Sequence, residues 1–178
     1  PGALEQSRTW ESVMPDKRHL VVTVFDDQAK AMAAVEWLKK WDKMNNDVDD
    51  IRFGAMAILT ADEDREIKIK RVGKRDVGSG AGVGLVIGAL AGALTAGIGL
   101  IGGLAAGALA GGVGGGLIHK GLGMHQGDLA ELTDQLCSGR VAVALVVPEP
   151  QVKAVTEQLI DLGGSTKVYE CSLETLEE

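Results

Sequence analysis

The residues that come nearest to carrying chemistry are a glycine run and a loose group of histidine and sulfur. Gly78-Ser79-Gly80-Ala81-Gly82-Val83-Gly84 has the G-x-G spacing with which a backbone cradles phosphate. A dinucleotide loop, however, follows a buried strand and is completed by an acid for the ribose. Here the run follows basic residues and enters residues 77–118, which contain no charged side chain, and no G-x-x-x-x-G-K-[ST] occurs. No nucleotide site is therefore expected. His119, Met124 and His125 offer donors for a soft or borderline metal, but without a paired acid or cysteine they read as interfacial or solvent-facing side chains. His19 has no visible partner, and Asp62-Glu63-Asp64 lacks the length and glycine placement of a calcium loop.

Cys137 and Cys171 are the only cysteines. In a chain long enough to build a core they read as small apolar side chains, and their spacing argues for neither a bridge nor a metal site. No Ser/His/Asp set, carboxylate pair or Cys/His pair is arranged locally for catalysis. The expectation is a non-enzymatic protein with no catalytic residue, cofactor, metal or small-molecule substrate. A formal charge of −7 and 3% aromatic residues argue against nucleic acid, which calls for a basic face and stacking platforms. Pro1 to Glu5 show no basic region followed by an apolar one, so no secretory signal is expected in them.

The elements around these residues follow from hydrophobic period. Residues 1–18 form a polar arm with Trp10, Val13 and Met14. Leu20 to Phe25 is a β-branched run stopped by Asp26-Asp27, which start a helix with Ala31, Ala34, Val35, Leu38 and Trp41 on one face. A strand over 51–61, an acidic turn and an alternating Ile67-Lys68-Ile69-Lys70 predict a hairpin with its second strand half exposed. Leu129, Leu132 and Leu136 predict a short helix. Val141 to Val147, apolar throughout, predicts a central strand. Pro148-Glu149-Pro150 opens a helix closed by Gly163-Gly164, Lys167 to Leu173 is the last strand, and 174–178 is an acidic tail.

Residues 20–60 and 141–172 thus share one plan, strand, helix, strand. Two such units predict an α+β fold, a ferredoxin-like βαββαβ sandwich carrying an inserted strand and a glycine-zipper helical hairpin. Its halves are 19–76 and 119–173, with the hairpin at 77–118. Glycines recur every four residues at Gly80, Gly84, Gly88 and Gly92, and again at Gly103, Gly107, Gly111 and Gly115. On a helix each set lies on one face. A glycine costs about 1 kcal/mol against alanine in a helix, so two such stripes need the gain of close backbone approach by another helix. The opposite faces, with Leu85, Leu90, Leu94, Leu100, Leu104 and Leu109, are expected to meet lipid or more protein.

The run breaks near Gly97-Ile98-Gly99 into two arms of about 20 residues, the length of a membrane span. Lys70, Arg71, Lys74 and Arg75 before it and Lys120 after it make the positive flank expected on the cytoplasmic side. Against a full crossing, the tip 95–100 carries no charge. Under either arrangement the glycine surface exceeds what one small domain covers, so a homo-oligomer is expected.

The strand-Asp-Asp-helix at 24–41, the charged hairpin at 60–70, the Gly/Ala insert at 78–118 and the closing strand-helix-strand resemble the bacterial domain-of-unknown-function 1269 family. Its members are described as predicted membrane proteins. The resemblance implies a membrane-associated protein with no functional site to carry across. The expected function is a non-enzymatic, self-associating protein of the cytoplasmic membrane, its partners its own copies and the bilayer, its α/β domain in the cytoplasm. The alternative is a cytoplasmic soluble cage or tube with the hairpins buried in the assembly, and a third reading is an effector-binding regulatory module.

Overall fold

The computed structural model describes residues 17–45, 56–72, 86–94 and 121–172. In chain order these form β1 (Arg18–Phe25), α1 (Gln28–Asn45), β2 (Met56–Ala61), β3 (Ile67–Val72), α2 (residues 86–94), α3 (Gln126–Cys137), β4 (Val141–Pro148), α4 (Glu149–Asp161) and β5 (Ser165–Cys171). The expectations for residues 1–16 of the arm, for the start of the second strand at 51–55, for the last residue of the final strand, Leu173, and for the tail at 174–178 lie outside the described residues.

The architecture is mixed α+β. Five strands make one antiparallel sheet in the order β3-β2-β4-β1-β5. Every residue of β4 is buried, and the strand lies at the centre of the sheet, as its unbroken apolar run requires. Alternation along β1 divides the core. Val21 and Phe25 face a layer built on α1 and α4, with Leu38, Val155 and Leu159. Leu20 and Val22 face a second layer built on α2 and α3, with Leu90, Leu94, Leu132 and Leu136. Helices therefore cover both faces of the sheet.

Local chemistry sets the element ends. The Asp27 carboxylate accepts the Lys30 amide at 2.8 Å, supplying one of the acceptors that the first turn of α1 lacks. In the β2–β3 turn, Asp62 Oδ1 accepts the amides of Asp64 at 3.1 Å and Glu66 at 2.9 Å. The acidic turn is thus an exposed hairpin tip. α4 closes with the amide of Gly163 on the Ile160 carbonyl at 2.9 Å and that of Gly164 on the Leu159 carbonyl at 3.0 Å. That pattern needs the left-handed backbone Gly163 adopts, φ 89°.

Helix α2 bears on the expectation for Leu90 and Leu94. Both are fully buried, and both pack on the second layer of this chain's own sheet. Among the described residues, no helix is long and apolar enough to cross a membrane.

Candidate functional site

Two of the eight stripe glycines, Gly88 and Gly92, lie in α2. The helix turns Val86, Ile87, Leu90, Ala93 and Leu94 to the sheet, and the period of 3.6 then sends Gly88 and Gly92 outward, where they are exposed. A Cβ placed on either would meet nothing within 4 Å. Packing inside the described part of the chain therefore does not use this face. Gly80, Gly84, Gly103, Gly107, Gly111 and Gly115 lie outside the described residues.

Of the basic flank, Lys70 and Arg71 stand exposed on β3, an edge strand of the sheet. Lys74, Arg75 and Lys120 lie outside the described residues. Lys68 beside them is engaged, its ammonium 3.1 Å from Asp62 and 2.9 Å from Glu66.

At the opposite edge α3 and β5 enclose a cleft of about 30 Å³, floored by Val22, Val24 and Leu132 and rimmed by polar side chains. The Lys167 ammonium projects from β5 to Glu131 at 2.7 Å and to Asp128 at 3.5 Å, tying helix to strand. Asp128 also caps α3, because its Oδ2 accepts the His125 amide at 3.0 Å. That amide first, and Lys167 after it, hold its carboxyl below the usual carboxylate range. Burial, then the Asp128 carboxylate, push the Tyr169 hydroxyl up to about 12. The cleft has room for water rather than a substrate.

The raised Tyr169 value has a sign that can be tested. The folded chain keeps a phenolic proton that an unfolded one releases near pH 10. The resulting contribution to stability is whole below pH 10 and is lost as pH rises toward 12. Ultraviolet difference titration should show Tyr169, the only tyrosine, ionising near pH 12, and Asp128→Asn should bring it part of the way down. Ionisation of the parent near pH 10 would mean that α3 does not close over β5 in solution.

Of the histidine and sulfur group, Met124 and His125 are described. Met124 is buried in the second layer, His125 is exposed ahead of α3, and His119 lies outside the described residues. Among the described residues no group of three or more His, Cys, Asp or Glu is placed to hold a metal ion. His19 Nδ1 is buried without a hydrogen-bond partner. Cys171 is buried, its thiol pushed up to about 11 by that burial, and Cys137 is half-buried; both are free thiols. The Lys167, Asp128 and Glu131 grouping was not legible from local spacing, since the lysine sits 36 positions from Glu131. Alternation of Ser165, Lys167 and Tyr169 along one face of β5 was the one signal for it.

No family model, no curated protein and no solved structure matches the chain.

Proposed function

We propose that this is a non-enzymatic, self-associating protein whose α2 glycine face docks the glycine stripe of another copy. The observation that carries this reading is the orientation of α2. Its apolar back is taken up by the sheet, while Gly88 and Gly92 stand exposed with open space over them. Two interior glycines cost about 2 kcal/mol against alanine in an exposed helix, a cost that close helix packing offsets. We read the sheet as ferredoxin-like. β1-α1-β2 and β4-α4-β5 are its two units, and their strands run β5-β1-β4-β2 with β3 added at the edge. The glycine-rich stretch is then an insert between the halves, its first arm held down by Leu90 and Leu94.

A second reading adds the bilayer as partner. Residues 95–118 are uncharged, and because the strands before and after them share one sheet they would enter and leave the bilayer on the same side, as a re-entrant hairpin. With Lys120 behind them, they would place the α/β domain in the cytoplasm at the cytoplasmic membrane, as the resemblance to the 1269 family implies. Sedimentation of the lipid-free chain beside flotation with vesicles separates the two readings: large particles without lipid favour a soluble assembly, recovery only with lipid favours the membrane.

The glycine face itself is tested by size. Gly88→Ala with Gly92→Ala should leave the domain as stable as before or raise it by up to about 1 kcal/mol per site, because nothing in the chain opposes the new methyl groups. Gly88→Leu with Gly92→Leu should leave the domain folded by circular dichroism yet reduce the assembly to smaller species. A leucine pair that sediments with the parent mass would remove the glycine face as the contact.

A further inference from the structure

The two edges of the sheet are unlike. At β5 the far end is fastened: the Ser172 amide donates to the Gly121 carbonyl at 2.8 Å, and the backbone at Gly123 lies hard against Glu170. At β3 the outer backbone groups have no strand beside them among the described residues, and the exposed side chains include Lys68, Lys70 and Arg71. Lys68 is neutralised by Asp62 and Glu66; Lys70 and Arg71 make no ion pair among the described residues. Such a strand repels a second β3, because like charges would fall opposite one another. The same cations suit an acidic strand.

The chain carries one. Beyond β5 run Leu173-Glu174-Thr175-Leu176-Glu177-Glu178. We propose that residues 173–178 of one copy add as an antiparallel strand to the β3 edge of a second copy. The register that sets Glu178 opposite Lys70 also sets Glu177 opposite Arg71 and Leu176 opposite Val72. Charge and apolar character thus match at three consecutive positions, the unit on which cross-strand stabilisation rests. Main-chain hydrogen bonds supply the rest, as in other strand additions.

Pairing within one copy is out of reach. β5 and β3 are opposite edges, four interstrand steps apart, or about 19 Å. Fully extended, residues 173–178 span about 20 Å, so reaching β3 leaves almost nothing to pair with it. The contact is head to tail and uses none of the glycine face. It rests on the self-association reading only in taking a second copy as the partner.

A charge-swap pair tests it on the full chain. Lys70→Glu with Arg71→Glu reverses the edge, and Glu177→Lys with Glu178→Lys reverses the strand that docks there. Each variant alone should lose this contact, with association about 30-fold weaker in low salt, as two attractive pairs become repulsive. Mixed one to one, the variants should associate again, because the basic strand of one fits the acidic edge of the other. The variant carrying all four changes should associate by itself as the parent does, a recovery that a misfolded edge would not allow. Both variants keep Gly88 and Gly92, so glycine-face association persists in each and survives high salt, whereas the strand contact does not. A mixture that sediments as the sum of its parts overturns the proposal. So does an edge-reversed variant that associates like the parent but no longer floats with vesicles of anionic lipid, which would assign Lys70 and Arg71 to headgroups.

Discussion

Replacing Leu90 by alanine should lower the unfolding free energy by about 2–5 kcal/mol, and replacing it by aspartate should remove α2 from the sheet altogether. Leu90 has no exposure and sits in the layer formed by α2, α3 and one face of the sheet. Truncation leaves a cavity bounded by side chains already fixed on β1, β2 and β4, which limits relaxation. A loss of that size is a large part of the roughly 5–15 kcal/mol that holds a typical domain together. Urea unfolding of lipid-free protein measures it, with Gly88→Ala as the control on the opposite face of the same helix. The two variants should move the midpoint differently, the first strongly down and the second not down at all. If Leu90 faced lipid instead, its truncation would leave the lipid-free midpoint where it was, within about 0.5 kcal/mol.

Much of this arrangement was open to reading in the residues. β-branched runs located β1 and β4, Asp27 marked the start of α1, and Gly163-Gly164 marked the end of α4, because each of these depends on chemistry within a few positions. The back of α2 was different. A leucine stripe opposite a glycine stripe fixes which residues share a face, but lipid and a sheet satisfy leucine equally, and local period does not choose between them. A signal did exist in β4. With Val141 to Val147 apolar at every position, both faces of the sheet had to be covered. α1 and α4 supply one face, and α3 alone is short for the other, so a further apolar helix was required and 77–118 was the segment able to provide it. The cleft at Lys167 offered only the alternation along β5, since its carboxylates lie on a helix far away in sequence.

The junction that returns the chain from the glycine-rich stretch to the sheet makes a second strong expectation. Gly123 holds φ at 67°, the left-handed region, where a side chain costs about 1–2 kcal/mol. A Cβ there would also be driven into the carbonyl oxygen of Glu170, which is backbone of β5 and cannot swing aside as a flexible side chain would. Gly163 is left-handed too, with φ 89°, but its nearest neighbour would be the Lys30 stem at 3.9 Å, an ordinary contact. Gly123→Ala should therefore cost about 3 kcal/mol, conformational strain and steric displacement together, while Gly163→Ala should cost about 1 kcal/mol from conformation alone. Denaturant midpoints of the two variants measure the difference. The loss at Gly123 should be accompanied by early hydrogen exchange at the Ser172 amide, whose acceptor is the Gly121 carbonyl two residues before the substituted glycine. Equal costs at the two positions would mean that residues 121–124 do not press on β5, and the chain would then leave the sheet edge free at both ends of β5.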